Sequence, residues 1–372
     1  MNGDGPLCKG RPRSFWLPSA IAGRCLLLGC QHRHRGLGRH GGAVCRGLRA
    51  GRQQHASECL FQCGNGADFN GRVLEALHAV ILRDEHLSLI HIYSVEHMAR
   101  PGETILATGR GVFCGGKGLN QSIAIAKAGG QVCHAGIVGE DGGMLLDALH
   151  AAKVDTACVR TATGPSSHTV IQVDAGGQNS IIVFGGENMR PTEADIDHML
   201  EGFGPGDAVI MQNELYNSPL MMRKAADKGL CVIFNPSPVN AALADYPLES
   251  VSWFLLNEIE GAALTGQTDP QAILAGMKEK YPKASVVLTL GADGAYCLHD
   301  GRTLYQPAFR VRAVDTTAAG DTFTGYFVSG LAQGMPMERI MERAARASSI
   351  AVGRMGAADS IPLADEVSAA EG

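Results

Sequence analysis

Short apolar runs alternate with helical periodicity through the second half of the chain. The runs predicted to be buried strands lie at 208–211, 231–235, 253–256 and 286–290. Amphipathic helical segments separate them, at 218–228 and 269–280. Because the four runs are apolar throughout, we expect an α/β fold with a mostly parallel sheet and helices on both faces. In such folds the ligand binds where the strands end.

Two shorter segments with alternating character, 167–173 and 180–184, flank the polar turn 174–179 and predict a β-hairpin. Two strands bury too little surface to fold alone. We therefore expect residues 166–185 to be the hairpin of a small β-lid over the ligand site. The segment 87–93 is apolar and β-branched and predicts one more strand, whereas 73–83 has the pattern of an amphipathic helix.

A small flexible turn stands directly before the helix pattern at 323–331. The first N–H groups of a helix are unpaired and lie at the positive end of its dipole. Ala318, Ala319 and Gly320 are therefore predicted to form an anion hole for a phosphate. Asp321 then lies within reach of whatever attacks that phosphate. The alternative is that Asp321 is only the N-cap of the helix.

A second glycine cluster precedes the helical pattern at 122–128. Gly115 and Gly116 allow a ligand to approach the backbone closely, and Lys117 supplies a cation beside them. The spacing is not that of a Walker A loop, and residues 109–114 do not complete a dinucleotide-binding fingerprint. The cluster therefore indicates a ligand site of another type.

The two motifs, in this order, resemble the signatures of the ribokinase family of carbohydrate kinases, also called the PfkB family. Three further elements match this family: residues 100–104, the Asn-x-x-Glu element at 257–260 and the Thr-x-Gly-x-x-Gly turn at 289–294. The resemblance covers residues 93–367 and implies a ribokinase-like α/β fold with a small β-lid. It implies ATP-dependent phosphorylation of the primary hydroxyl of a sugar, first of all D-ribose to ribose 5-phosphate.

The resemblance also implies roles for single residues. Asp321 is the implied general base, which takes the proton of the attacking hydroxyl. The implied sugar contacts are Gly115, Gly116, Lys117, Asn120, Glu214 and Asp321. The implied ATP contacts are Asn257, Thr289, Gly291, Gly294 and Gly320. Glu260 is implied to hold Mg²⁺ through water, with a plain first-turn acid of a helix as the alternative.

A monovalent cation, K⁺, is implied as an activator. Its implied ligands, several of them through backbone carbonyls, are Asp315, Thr317, Ala351, Arg354, Gly356 and Ser360. Ligation by oxygen alone suits a hard cation of this kind.

One part of the family pattern is missing. Family members carry an Asn-x-Asp element in their first strand, where both side chains bind sugar hydroxyls, but Ser88 and Ile90 stand at these positions. Ile90 cannot accept a hydrogen bond from a hydroxyl. Three interpretations therefore stay open: a ribokinase, a related kinase for another sugar or a nucleoside, and a non-catalytic sugar-binding relative.

Composition and charge narrow the function class. With 45% hydrophobic residues and no apolar run of membrane-spanning length, the sequence predicts a globular enzyme without a membrane span. Residues 1–60 hold ten Lys and Arg against two acids, so the rest carries −13, since the whole chain carries −5. An acidic body argues against nucleic-acid binding. The five scattered cysteines after residue 86 predict free thiols in a cytoplasmic protein, and the resemblance implies a homodimer that forms through the lid.

Residues 1–86 differ in composition from the rest of the chain. Six of the eleven cysteines lie there among arginines and glycines, without a Cys-x-x-Cys pair. A zinc module and an organellar transit peptide are two interpretations. We favour a third, a basic extension that is disordered or spurious. The carbohydrate kinase domain is then expected at residues 87–368.

Overall fold

A computed structural model describes residues 80–83, 87–189, 191–214 and 216–370. These residues form a large sheet flanked by helices and a smaller sheet beside it. In these ranges the helices are all too short or too polar to cross a lipid bilayer. Their five cysteines are free thiols, as predicted.

The large sheet has nine strands. They are β1 Val80–Arg83, β4 Val132–Val138, β5 Asp155–Thr161, β8 Ala208–Met211, β9 Cys231–Phe234, β10 Trp253–Asn257, β11 Ser285–Thr289, β12 Ala295–His299 and β13 Arg302–Gln306. Their order is β13-β12-β11-β10-β9-β8-β1-β4-β5. All neighbours from β5 to β11 are parallel, and β12 and β13 extend one edge in antiparallel fashion. The four strands predicted from apolar runs are β8, β9, β10 and β11, so the predicted mostly parallel sheet is confirmed.

Helices cover both faces of this sheet. They are α1 Lys117–Lys127, α2 Gly143–Ala151, α3 Glu193–Met199, α4 Ser218–Asp227, α5 Glu258–Thr265, α6 Pro270–Lys280, α7 Ala319–Ala332, α8 Met337–Val352 and α9 Ala364–Ala369. Successive residues of β8 point to opposite faces: Ile210 joins the hydrophobic core that contains Phe327 of α7, and Val209 joins the core that contains Met222 of α4. A strand buried on both faces has to be apolar throughout, which explains the sequence pattern.

The smaller sheet is the predicted lid. Its strands are β2 Ser88–Ser94, β3 Gly109–Gly115, β6 Ser167–Val173 and β7 Asn179–Phe184, in the order β3-β2-β6-β7. The hairpin β6–β7 is confirmed, with Val170 opposite Ile182. The strand predicted at 87–93 is β2, which pairs antiparallel with β3 and parallel with β6.

The first strand of the large sheet lies earlier in the chain than expected. Val80–Arg83 pairs with β4 on one side and with β8 on the other, so that Val80 stands opposite both Val132 and Ala208. The helix predicted for 73–83 is therefore wrong for 80–83, and 73–79 lies outside the described residues. A short apolar run has no periodicity that separates a buried strand from one turn of helix. The sheet thus takes in residues before position 87, where the domain was expected to begin.

Candidate active site

The N-terminal turns of α1 and α7 lie side by side. The two helices approach closely at Gly325, where a Cβ would lie 2.3 Å from the Cβ of Ala124. Each helix follows a residue in a left-handed conformation, with φ of 110° at Gly116 and 59° at Ala318. This conformation is strained for Ala318, which has a Cβ, and such strain is concentrated at functional sites. The pairing brings the glycine cluster before α1 to the turn before α7.

Asp321 lies in the first turn of α7 and contacts α1. Asn120 Nδ2 donates a hydrogen bond of 2.9 Å to its Oδ2, and Gln121 Nε2 donates one of 3.0 Å to its Oδ1. Burial raises the pKa of Asp321 to about 6, although the two amide donors and the charge of Lys117 favour the ionised form. The N-cap of α7 is Ala318, so the structure does not support the N-cap alternative for Asp321. A carboxylate with a pKa near neutrality suits proton transfer.

Lys117 begins α1 and forms an ion pair with Glu214, which follows β8. The distance from Lys117 Nζ to Glu214 Oε1 is 2.6 Å. Burial opposes the lysine charge, but the attraction of Glu214, Asp321 and Glu260 outweighs it and raises the pKa of Lys117. The lysine therefore stays protonated at neutral pH. The predicted sugar contacts Lys117, Asn120 and Glu214 are thus brought together beside Asp321, while Gly115 and Gly116 directly precede α1.

The lid strand β2 carries the two residues that depart from the family pattern. Ser88 is buried, and its Oγ lies 3.2 Å from Oγ1 of Thr169 on β6. Ile90 is half-buried and packs over Gly115, since a Cβ on that glycine would lie 2.2 Å from the Ile90 Cδ1. An apolar side chain therefore borders the predicted sugar contacts where the family pattern has Asp.

Asn257 and Glu260 form a capping box at the N-terminus of α5. The Glu260 N–H donates to Asn257 Oδ1 at 3.0 Å, and the Asn257 N–H donates to Glu260 Oε2 at 3.0 Å. Asn235, which follows β9, donates a further hydrogen bond to that oxygen at 3.2 Å. Burial raises the pKa of Glu260 despite these donors. Glu260 is thus the first-turn acid of a helix, the alternative role, and its contact with Mg²⁺ stays a prediction.

Two cavities meet at the start of α7. The smaller has a volume of about 180 Å³, and its lining includes Lys117, Gln121, Asn257, Glu260 and Asp321. The larger has a volume of about 620 Å³, and its lining includes Thr289, Gly291, Gly294, Phe309 and Ser348. Thr289, Gly320 and Phe323 line both cavities. A ligand in the larger cavity can therefore reach the carboxylate of Asp321 past Gly320.

The larger cavity holds three of the residues predicted to contact ATP, Thr289, Gly291 and Gly294, while Asn257 lines the smaller one. Gly294 is required by the turn, because a Cβ there would lie 2.2 Å from the carbonyl oxygen of Gln306. The opposite wall comes from residues 308–313 and from α8. Sequence reasoning missed this wall, because its apolar residues carry no motif and only the tertiary fold brings them to the site.

The predicted anion hole and the predicted K⁺ loops lie at the same end of α7. The Ala319 N–H donates to the carbonyl of Thr316 at 3.2 Å, so Gly320, which is exposed, is the member of the hole that borders both cavities. Asp315 links the two loops: its Oδ1 accepts from the Thr317 N–H at 2.9 Å and its Oδ2 from the Gly356 N–H at 3.0 Å.

The remaining members of the predicted K⁺ site lie on either side of Gly356. Ala351 is buried in α8, and the Ser360 hydroxyl donates to the carbonyl of Ala357 at 2.7 Å. The side chain of Arg354 binds Glu366 of α9 at 2.5 Å, so it is occupied by that carboxylate. Clusters of three or more His, Cys, Asp or Glu side chains able to hold a metal are absent from the described ranges. A cation here would therefore rely on backbone and hydroxyl oxygens together with the single carboxylate of Asp315.

Sequence reasoning also missed two buried amides. Gln121 contacts Asp321, and Gln212, just after β8, donates from Nε2 to Gln121 Oε1 at 2.7 Å. The available signal was the polar run Asn120-Gln121-Ser122 in a helix that is otherwise apolar on its buried side. Three consecutive polar residues cannot all face solvent on a packed helix.

Comparison with known proteins agrees with this geometry. Residues 87–364 match the family of pfkB family carbohydrate kinases. The ribokinase of Haemophilus influenzae is 31% identical over 285 residues, which are 74% of this chain and 93% of that protein. The crystal structure of the ribokinase from Cryptococcus neoformans in complex with ADP has a TM-score of 0.70 and 31% identity, covering 78% of this chain and 99% of the other. The Arabidopsis thaliana ribokinase complexed with ribose and ATP has a TM-score of 0.70 and 28% identity, covering 79% and 98%. The chain therefore belongs to the pfkB family of carbohydrate kinases.

Proposed function

We propose that this carbohydrate kinase transfers the γ-phosphoryl group of ATP to the primary hydroxyl of D-ribose, and that Asp321 is its general base. The position of Asp321 carries the proposal. Its carboxylate lines the smaller cavity, beside Lys117, and Gly320 separates it from the larger cavity. A sugar in the first cavity and a nucleotide in the second would meet at this residue.

The reaction needs alignment and charge stabilisation more than covalent chemistry by the protein. The sugar oxygen forms a bond to the γ-phosphorus while the bond from that phosphorus to the β,γ-bridging oxygen breaks. The hydroxyl proton passes to Asp321, and ADP leaves. The Gly320 end of α7 offers N–H donors to the charge that develops on the phosphoryl oxygens.

Two cations fit the residues present. Mg²⁺, when bound, neutralises charge on the phosphates of ATP. We propose that Glu260 orients its water shell, since the buried Glu260 carboxylate lines the smaller cavity together with Asp321. We assign K⁺ to the loops joined by Asp315, because the hydrogen bond from the Gly356 N–H already fixes the distance between them. K⁺ there would stabilise the turn that presents Ala318 and Gly320.

The nucleotide would occupy the larger cavity. Its volume, about 620 Å³, lies in the range of cavities that bind ligands of nucleotide size. The ring of Phe309 forms part of the wall and is held by the guanidinium of Arg346, which lies 4.2 Å above its centroid. Fixing this ring in place gives an aromatic base a rigid surface.

Ile90 favours a second candidate substrate. Its side chain packs over Gly115, so a sugar hydroxyl on that side would lose hydrogen bonds to water and gain none from the protein. A 2-deoxy pentose avoids part of that penalty. A nucleoside and a hexose are further candidate substrates, and a non-catalytic sugar-binding protein is the remaining alternative.

We also propose that the enzyme forms a homodimer through the lid and works in the cytoplasm. The edge strand β7 exposes Ile181, Ile182, Val183 and Phe184, each at 47% to 63% of its surface. An unpaired apolar edge is a common pairing site. The free thiols of the described residues suit a reducing compartment. Light scattering of the parent and of Ile182→Lys tests the dimer, and a monomeric parent would contradict it.

The substrate is tested by measuring ADP formation with D-ribose, 2-deoxy-D-ribose, D-fructose and adenosine at equal concentrations. We expect the highest kcat/KM with D-ribose. Highest activity with 2-deoxy-D-ribose would point to the Ile90 interpretation. Sugar binding without ADP formation would establish the non-catalytic alternative.

A further inference from the structure

Two buried amides stand behind the carboxylate of Asp321. Gln121 on α1 is 2% exposed, and Gln212, which follows β8, is fully buried. Gln212 Nε2 donates to Gln121 Oε1 at 2.7 Å, and Gln121 Nε2 donates to Asp321 Oδ1 at 3.0 Å. A continuous chain of hydrogen bonds therefore runs from the carboxyl end of a central strand to the predicted base.

The hydrogen bonds from Gln212 through Gln121 to Asp321 can donate in only one direction. An ionised carboxylate only accepts hydrogen bonds, so Gln121 must turn its NH₂ group toward Asp321 and its carbonyl toward Gln212. The NH₂ group of Gln212 satisfies that carbonyl. The opposite flip of the Gln121 amide would set its NH₂ group against the NH₂ group of Gln212, and two donors cannot pair. Gln212 therefore disfavours the flip that would turn the Gln121 carbonyl toward the carboxylate.

The arrangement is costly for folding. Gln212 Oε1 is buried and finds no hydrogen-bond partner within the described ranges. A buried acceptor left in this state lowers the stability of the fold. A methionine would fill the same space without that cost, so the packing of β8 against α1 does not by itself explain a glutamine here. Local costs of this kind are expected at functional sites.

We propose that Gln121 and Gln212 are positioning residues that fix the carboxylate of Asp321 for proton acceptance. The inference rests on the proposed role of Asp321 as the base. Asn120 holds the other oxygen of the carboxylate, so two donors, one on each oxygen, set the rotation of the group about its Cβ–Cγ bond. Asn120 is also a predicted sugar contact, whereas Gln121 is held from behind by Gln212. Gln121 therefore keeps its orientation before and after the sugar binds.

The hydrogen bond from Gln121 has an electrostatic consequence as well. It favours the ionised form of Asp321 and opposes burial, which raises the pKa. The charged groups that face Asp321 are Lys117, which also favours ionisation, and Glu214, which opposes it, and Glu260 lines the same cavity. The replacement of Gln121 by methionine leaves these charges in place. It should therefore raise the pKa of the base while the charged groups around it stay in place.

The test compares Gln121→Met, Gln212→Met and the double variant with the parent. For Gln121→Met we expect kcat to fall about tenfold at pH 7, the KM for ATP to stay unchanged, and the acid limb of the pH profile to move up by about half a unit to one unit, the equivalent of one lost hydrogen bond. Activity should partly return at pH 8.5. Gln212→Met should show a smaller change of the same kind, with a melting temperature equal to or above that of the parent.

Non-additivity separates positioning from packing. Because Gln212 acts through Gln121, the double variant should resemble Gln121→Met alone. Ser122→Ala is the matched control, because Ser122 is buried on the same helix but its hydroxyl pairs with His134 at 2.7 Å. It should leave the acid limb in place. An acid limb that stays in place in Gln121→Met, or additive losses in the double variant, would overturn the proposal.

Failure of the positioning role and failure of the base role give different results. If Asp321→Asn abolishes turnover and Gln121→Met keeps the parental pH profile, only the positioning role of the two glutamines is wrong. If Asp321→Asn keeps near-normal turnover, the base itself is wrong. Should Gln121→Met fail to fold, the pH profile of Gln212→Met decides by the same criterion.

Discussion

Lowering the pH should inactivate the enzyme over a range set by Asp321. As the proposed base, the carboxylate has to be ionised to take the sugar proton, and its pKa is raised to about 6. The ionised fraction is then about 0.9 at pH 7, one half at pH 6 and about 0.1 at pH 5. We therefore expect kcat/KM for the sugar to fall roughly tenfold from pH 7 to pH 5. An aspartate with the ordinary pKa of 3.8 would lose little over this range.

The loss should not come from unfolding at Asp321. A carboxyl group whose pKa is raised in the folded state binds its proton more tightly there than in the unfolded chain. Its ionisation therefore lowers the free energy of unfolding as the pH rises from 3.8 through about 6. Acidification removes that penalty, so Asp321 by itself makes the fold more stable at pH 5 than at pH 7.

The assay measures ADP formation by chromatography from pH 4.5 to 8.5 at fixed ionic strength, with a melting curve at each pH. Asp321→Asn is the comparison, because the amide keeps the shape but cannot take a proton. We expect it to reduce kcat at pH 7 by at least about a hundredfold, to keep ATP binding and to lose the acid limb. A parent profile that is flat down to pH 4.5, or a variant within about fivefold of the parent at pH 7, would refute the reasoning.

Three further predictions concern the start of the domain, the cation and the sugar. Deletion of residues 2–79 should shift the melting temperature by only about 3 °C or less. Deletion of residues 2–86 should instead prevent folding, because it removes β1 from the middle of the sheet. A folded product of the longer deletion would contradict this. Replacement of Na⁺ by K⁺ should raise kcat severalfold, and Asp315→Ala should remove the difference; equal parental rates in both salts count against the site. Ile90→Asp should lower the KM for D-ribose about fivefold, which corresponds to about 1 kcal/mol for one recovered hydrogen bond. The control Ile90→Val should leave the KM unchanged. An unaltered KM in the aspartate variant would show that Ile90 does not border the sugar.

The sequence pattern was sufficient to predict those strands and helix starts whose own residues show a distinct pattern. The apolar runs predicted β8 to β11 because parallel strands are buried on both faces. The two glycine-containing turns marked the helix starts, and Gly116 adopts a φ of 110°, which favours glycine. The position of β1 could not be obtained in this way. Four residues carry too little periodicity, and what identifies Val80–Arg83 as a strand is its pairing with β4 and β8.

The same distinction applies to the site. The placement of Asp321 and Lys117 at one cavity was predictable, because each follows a glycine turn before a helix and matches a motif of the family. The roles of Gln121 and Gln212 were not predictable, because the role of an amide depends on the groups to which it is hydrogen-bonded. The wall of the larger cavity at Phe309 was missed for a similar reason, since apolar side chains that line a cavity have the same sequence pattern as those that fill a core.

The proposed base and its hydrogen-bond donors lie on different helices, so their geometry depends on how α1 is held against α7. Gly325 sets the distance between the helices, since any side chain there would collide with Ala124. At the other end of α1, the carbonyl of Ala128 accepts hydrogen bonds from Gln333 at 3.2 Å and from Arg343 at 2.7 Å. These bonds pair the C-cap carbonyl of α1 with donors from the C-cap of α7 and from α8, which resists sliding of one helix along the other. A catalytic group is effective only when held to within about half an ångström, so residues at the far end of α1 belong to the physical basis of the reaction as much as the amides that touch the carboxylate.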